Sequence, residues 1–310
     1  MNKLRNRHEI LFVYEVVNAN PNGDPMDENR PRYDDETGRI FVRDARIKRT
    51  IRDTLQEMGY EIFIREERKN DGTLKTKEEI FEEYNNSVNE VLKRCIDIRL
   101  FGATFALKKD KKDISAISFT GPVQFSYGTS LHKVKILQIQ GTSVLPSTSE
   151  SGGKKQGTML FDYRVAYALI AVYGVANQKI ADKTNMTDED FNKMLKALWI
   201  GHRGGSVLLT GSKIGHKSLM LLDVVHKEDS LDLIGGLDRY LKLNINTDDE
   251  EAIRSVEDYT LDISNLAEKI RNLQSRGRLE KVRYILDEDL KIKPNIREAF
   301  GGIELEELKY

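Results

Sequence analysis

The 310-residue chain holds one cysteine, Cys95, six prolines and one tryptophan, and its formal net charge is only −1. A single cysteine excludes an internal disulfide and a cysteine-built zinc site, and it suits a reducing compartment. The small net charge excludes attraction of nucleic acid by bulk basicity, so any cationic site has to be local. No apolar run approaches the ~20 residues that span a bilayer. The opening "MNKLRNRHEILFVYEVV" has neither a clean apolar h-region nor a small-residue cleavage pattern. These absences predict a soluble, cytoplasmic protein with no membrane contact. His8, His132, His202, His216 and His226 show no ligand spacing and no serine sits in a nucleophile elbow, so neither a metal, a cofactor nor a catalytic residue is predicted.

What is present is a chain with 39% hydrophobic and 32% charged residues, enough for a core under a heavily solvated surface. "EILFVYEVV", residues 9–17, is apolar on both alternating sets and predicts a strand buried on both faces. It breaks into "NANPNGDP", Asn18 to Pro25, and a long polar loop holding three of the six prolines. Such a knot suits an ordinary surface connection or a rigid turn that presents backbone N–H groups. From Arg39 to Gly59 the apolar positions Ile47, Ile51, Leu55 and Met58 predict a helix ending at the glycine. A second helix is expected over 77–98, inside an insertion at 60–113. Extended segments follow, then a Gly/Ser/Thr-rich stretch at 141–158. In "FDYRVAYALIAVY", Phe161, Tyr163, Val165, Tyr167, Leu169, Ala171 and Tyr173 alternate onto one strand face; their aromatics suit base stacking or plain core. A helix capped at Thr187 and a strand at "KSLMLLDVV" complete the order. Strand, helix, strand, strand, helix, strand fits an α+β, β-α-β-β-α-β ferredoxin-like core with inserted material.

Positive charge is densest in Arg39–Arg52. Arg46, Arg49 and Arg52 repeat at a spacing of three, a ladder with ~4.5–6 Å between rungs that is close to the spacing of phosphates along one nucleic-acid strand. The ladder suits anion recognition or a solvated helix face. "TGSKIGHKS", Thr210 to Ser218, resembles a phosphate-cradling loop in composition without the spacing of a Walker motif. Lys154 and Lys155 add charge to the 141–158 stretch, and Asp24, Asp27, Asp34 and Asp35 are acidic enough for a metal nuclease or for ordinary turns.

At "NPNGDP", "R-D-x-x-x-K-R-x-I-R" (Arg43 to Arg52) and "CIDIRLFGA" the chain resembles the CRISPR-associated Cas-seven family, the repeated backbone subunit of type I Cascade, most closely its type I-B branch. The likeness runs through "FTGPVQFSYGTSLHKV" and "FDYRVAYALIAVYG" and covers most of residues 8–227. One departure is plain: where the family has Arg-Ser followed by Gly-Gln-x-Pro-Arg, this chain keeps only Ser212, Lys213, Gly215 and Lys217. The resemblance implies an RNA-recognition-motif-like palm (1–59, 114–131 and 161–227), helical fingers (60–113), a hairpin thumb (132–160) and a C-terminal extension packing on the palm (228–310). It implies a non-catalytic subunit that polymerises along a guide RNA (crRNA) and offers it to target DNA, beside other Cascade subunits and further copies of itself. RNA contacts are expected at Asn20, Asn22, Gly23, Arg43, Arg46, Lys48, Arg49, Arg52, Lys154, Lys155, Ser212, Lys213 and Lys217. The alternative is a metal-dependent endoribonuclease using a loop aspartate, Asp24 or Asp34.

Overall fold

The computed structural model describes residues 3–110, 113–142, 159–203 and 210–310. The first strand, His8–Ala19, pairs antiparallel with the long strand Met159–Ala176 on one side and with His216–His226 on the other. Beyond the long strand lie Val123–Phe125 and Gly128–Ser130, and Arg39–Val42 pairs with the latter. Helices Asp44–Glu57 and Asp188–Gly201 pack against each other. The order along the chain is therefore strand, helix, strand, strand, helix, strand, and the four strands stand in space as last, first, third, second. Leu279–Leu286 and Leu305–Glu307 extend the sheet past His216–His226.

Both faces of this sheet are covered, which is why the first strand shows no polar side. Ile10, Phe12, Tyr14 and Val16 meet Ile47, Ile51 and Leu55 of one helix and Phe191, Met194, Leu195 and Leu198 of the other. Leu11 and Val13 point the opposite way, into a core shared with Leu266, Ala267, Ile270 and Leu273 of the C-terminal helix Ser264–Ser275. Two buried carboxylates fasten the sheet to its surroundings. Glu9 accepts from His226 Nε2 (2.9 Å), Tyr173 Oη (2.6 Å) and the backbone N–H groups of Ile234 (2.7 Å) and Gly235 (2.8 Å). Burial pushes its carboxyl up, but these donors outweigh burial and hold it below its ordinary range.

Asp223 sits between His8 Nδ1 at 2.9 Å and Arg283 at 2.6 Å. Burial opposes its ionisation, yet the His8 and Arg283 charges bring it to about 2. A carboxylate held below its unfolded value of ~3.9 adds stability that is complete above that value and is lost as pH falls toward about 2. Acid unfolding of Asp223→Asn should accordingly be shallower between about pH 4 and 2 than that of the parent, as read by far-UV circular dichroism.

A third apolar cluster, separate from the sheet, joins Phe63, Ile80, Phe81, Tyr84, Val91, Leu92, Cys95, Ile98 and Phe105. Burial pushes the Cys95 thiol up to about 12, which leaves it unreactive. The hairpin Gly102–Asp110 with Asp113–Thr120 rises beside this cluster as its own two-stranded sheet.

Three expectations need correcting. The segment Arg39–Gly59 is not helical throughout: Ile40 and Val42 are buried and Arg39–Val42 joins the sheet, so the helix begins at Asp44. Gly59 does end it, at φ 86°. The helix over 77–98 is broken into Lys77–Glu82, Val88–Arg94 and Ile96–Phe101, because Asn85 and Asn86 take positive φ (54° and 53°) and Ser87 caps the next turn. The stripe from Phe161 to Tyr173 does not share one face. Asn18, at φ 47°, reverses the parity of the first strand; opposite it, Val165 packs toward the helices while Tyr167 faces the C-terminal core. Tyr167 bonds Tyr259 Oη at 2.7 Å and is fully buried, so it is core and offers no stacking surface. Among the described residues no helix is long and apolar enough to cross a membrane.

Candidate nucleic-acid interface

The "NPNGDP" segment folds as a tight hairpin at the end of the first strand, with Gly23–Asp24 paired to Arg30–Pro31. Glycine is required at position 23, where a Cβ would lie 2.7 Å from the Asn29 carbonyl oxygen. Asn20 is 1% exposed, and its side-chain amide donates to the carbonyls of Asn29 (2.7 Å) and Tyr163 (3.2 Å). It anchors the loop from within and does not reach outward. Asn22 Oδ1 accepts the backbone N–H of Arg43 at 2.9 Å, which ties the hairpin to the start of the arginine helix. Asp24 and Asp34 are both engaged locally. Asp24 meets Arg32 at 2.7 Å and the Met26 N–H at 3.1 Å; Asp34 meets Thr37 Oγ1 at 2.6 Å and the Glu36 N–H at 3.1 Å.

The arginine helix does not present a uniform ladder. Arg52 turns to Asp97 (3.1 Å) and lies over the Phe101 ring at 4.9 Å. Arg49 pairs with Asp53 and donates to the Ile64 carbonyl at 3.1 Å. Lys48 is buried, bonding Asp44 at 3.1 Å and Gln124 Oε1 at 2.9 Å. Arg43 and Arg46 are different: among the described residues no carboxylate pairs with either. Arg43 is exposed at the helix start, and Arg46 is half-buried on the side facing the sheet end.

The loop 210–215 lies along that same sheet end. Val17 N–H donates to the Gly215 carbonyl at 2.8 Å and Asn20 N–H to the Ser212 carbonyl at 2.7 Å. Gly215 is required there, since a Cβ would fall 1.8 Å from the Val17 carbonyl oxygen. The docking carries Lys213 inward, where its ammonium donates to the Asn20 carbonyl. Lys217, at the start of the strand His216–His226, pairs with Asp287 (2.8 Å) and Asp289 (2.5 Å). Lys154 and Lys155 lie outside the described residues.

The Arg46 charge acts on Tyr14, His202, Lys213 and His216 alike, so these side chains stand near one another at this end of the sheet. The Tyr14 ring is 4.8 Å from His202 and 5.9 Å from His216, centre to centre. Burial and the Arg46 charge push Lys213 down to about 7 and hold His202 near 4; burial first, with the His202, Lys213 and Arg46 charges, holds His216 well below its ordinary range. Two cations held together without a counter-charge are unfavourable until an anion enters. The histidines escape sequence reasoning because no ligand spacing links them; one ends a helix and the other starts a strand, and only the fold brings them together. By contrast, the groove of about 490 Å³ between the hairpin and strand Ile136–Thr142 has its cations matched, Arg32 to Asp24 at 2.7 Å and Lys135 to Glu251 at 3.9 Å.

Lys213 also sets a stability prediction. An unfolded lysine titrates near ~10.4, so between about 7 and that value the unfolded chain binds more protons than the folded one. The stability term from Lys213 therefore rises with pH across this window and is at its lowest, and flat, below it. Lys213→Met should raise Tm at pH ~6.5 by more than it does at pH ~9, read by differential scanning calorimetry.

In class, this is an α+β protein with a doubly covered sheet, at one end of which Arg46 and Lys213 have no carboxylate partner among the described residues. The family described as CRISPR-associated protein Cas7 matches residues 6–264, and the chain belongs to that family. A CRISPR-associated protein Cas7 from Haloferax volcanii is 28% identical over 295 residues, covering 87% of this chain and 84% of that relative. Two solved structures share the fold. A chain of a "CRISPR RNA-guided surveillance complex, pre-nicking" superposes with a TM-score of 0.56 at 12% identity, over 98% of this chain and 96% of its own. A chain of a "CRISPR RNA-guided surveillance complex" gives 0.55 at 14% identity, over 98% and 95%.

Proposed function

We propose that this chain is a non-catalytic backbone subunit of a type I CRISPR surveillance complex, of the I-B kind, which holds crRNA by its sugar-phosphate chain. The observation that carries the reading is the pair Arg46 and Lys213: two basic side chains from elements far apart in sequence, near enough for the charge of one to act on the other, with no carboxylate partner among the described residues. Arg43 stands exposed at the start of the same helix. Contacts of this kind recognise phosphate and carry no base information, which suits a guide holder whose specificity comes from base pairing with target DNA. Arg49, Arg52, Lys48 and Lys217 act by positioning, through the ion pairs that fasten the surrounding elements. Family membership and the shared fold support the wider reading. In it the sheet with its two helices forms an RNA-recognition-motif-like palm. Residues 60–113, with the return strand of the hairpin, form the fingers, and 132–160 the thumb. Residues 228–310 back the palm, and copies assemble head to tail along the guide beside other Cascade subunits.

The test is binding of single-stranded RNAs of unrelated sequence to the purified full chain. Affinities should agree within a few-fold across sequences. With three phosphates neutralised per copy, by Arg43, Arg46 and Lys213, log K should fall against log salt with a slope of about −2. Strong preference for one sequence, or a slope near zero, would refute the reading. Regular cleavage of complementary RNA with Mg²⁺ that disappears in Asp24→Ala would instead establish a nuclease.

A further inference from the structure

A lone exposed tyrosine is ordinary at a protein surface, but Tyr127 stands in a built setting. It is 52% exposed, between the strands Val123–Phe125 and Gly128–Ser130. Gly128–Ser130 pairs antiparallel with Arg39–Val42, Phe41 opposite Thr129 and Val42 opposite Gly128. One step further along this register Tyr127 comes opposite Arg43, where the arginine helix starts. Val42 packs into the core beneath the helices, so by alternation Phe41 and Arg43 turn to the other side, together with Tyr127. The rings bear this out: those of Phe41 and Tyr127 are nearly parallel, 7° apart, with centres separated by 6.2 Å.

We propose that the Tyr127 ring is a stacking platform for one unpaired base of the bound RNA strand, with the phosphate of that nucleotide on Arg43. The proposal rests on the RNA-binding reading above and adds to it a contact with base faces, which the phosphate contacts alone do not supply.

The half-buried Phe41 ring lies alongside Tyr127 and restrains its plane, so little freedom is lost when a base settles on the open part. Arg43 supplies the charge. Its guanidinium is exposed and has no carboxylate partner among the described residues, while its backbone N–H is fixed on Asn22 Oδ1 at 2.9 Å. Neither paired segment, 39–43 or 126–130, contains an acidic residue, and the next residue, Asp44, is already paired with Lys48 at 3.1 Å. Neighbouring strands lie ~4.8 Å apart, so ring and guanidinium are within the span of one nucleotide. A nucleotide uses both features, a flat apolar face and a free cation; an apolar side chain of a protein partner would cover the ring and leave Arg43 unmatched. Stacking asks only for a π-face, which every base has, so the platform keeps binding tolerant of sequence.

The experiment compares two ligands of the full chain over a range of salt: a short oligoadenylate, and a ribose-phosphate strand of equal length without bases. Tyr127→Phe should bind both like the parent. Tyr127→Leu should bind oligoadenylate about tenfold more weakly, with the salt slope still about −2, and should match the parent on the baseless strand. Arg43→Ala should lose affinity on both strands, its slope falling to about −1.4. Independently of any variant, ultraviolet cross-linking of the parent to RNA should place an adduct on Tyr127. Parental oligoadenylate affinity in Tyr127→Leu, or adducts confined to other residues, overturns the platform and leaves RNA binding intact. An equal loss on both strands shows that the ring acts through the fold and not through a base, and also overturns it. So does a change of oligomer size in sedimentation velocity with unchanged affinity, which would assign the ring to a protein contact. No binding of either strand by the parent overturns both readings.

Discussion

Arg46→Glu is expected to lower the affinity for single-stranded RNA by about 100-fold, while Lys217→Ala leaves it within twofold. A charge-assisted hydrogen bond to phosphate contributes roughly 1.5–3 kcal/mol, and reversing the charge adds repulsion to its loss. Arg46 has no carboxylate partner among the described residues, so its removal breaks no ion pair. A glutamate there would stand beside Lys213, which supplies the opposite charge, and the fold should survive with its circular dichroism spectrum unchanged. Lys217 lies in the strand His216–His226 that follows the 210–215 loop and has similar exposure, but its amine is already held by Asp287 and Asp289. The pair of variants separates a specific site from general electrostatic attraction: fluorescence anisotropy showing equal losses for both would refute the assignment of Arg46.

Asp97→Ala should produce the largest loss of stability, about 3–5 kcal/mol, seen as an earlier thermal transition and faster proteolysis between residues 60 and 120. Asp97 is fully buried. One oxygen accepts the Phe63 N–H at 2.9 Å; the other accepts the Ile64 N–H at 3.0 Å and the Arg52 guanidinium at 3.1 Å. Truncation strands all three donors at once, and the side chain of Arg52, only 12% exposed, has little solvent to turn to. This carboxylate joins the apolar cluster around Phe63 and Phe81 to the arginine helix, so its loss should loosen that cluster before the sheet. Asp97→Asn keeps the shape and part of the hydrogen bonding and should cost less. RNA affinity measured below the transition should change little, since Arg46 and Lys213 are anchored on the sheet side. A variant as stable as the parent would show that Arg52 is held by other means.

Several elements were legible from residue order because their causes are local. The apolar spacing of Ile47, Ile51 and Leu55, the cap at Thr187 with Asp190, and the unbroken apolar run of the first strand each fix an element without distant help. Where reading failed, a long-range partner decided. "RIFV" continues a helical pattern until Gly128–Ser130 offers it a strand to pair with. Asn85 and Asn86 look like tolerable helix residues until the packing of Phe81 and Val91 around Phe63 calls for a turn between them. The aromatic stripe kept its period on paper, but Asn18 across the sheet reversed its parity.

Residue order alone settled the presence of a sheet protected on both faces, the arginine-rich helix beside a rigid Asn/Gly/Pro turn, and the family likeness those segments carry. It could not say which cations were free. Within the helix Arg46, Arg49 and Arg52 are equivalent by spacing. Their fates diverge because one carboxylate, Asp53, is a helical turn away, another, Asp97, arrives from a different module, and none reaches Arg46. Charge acts through space and over short distances, so the tertiary fold decides which positive groups are neutralised internally and which are left for a ligand.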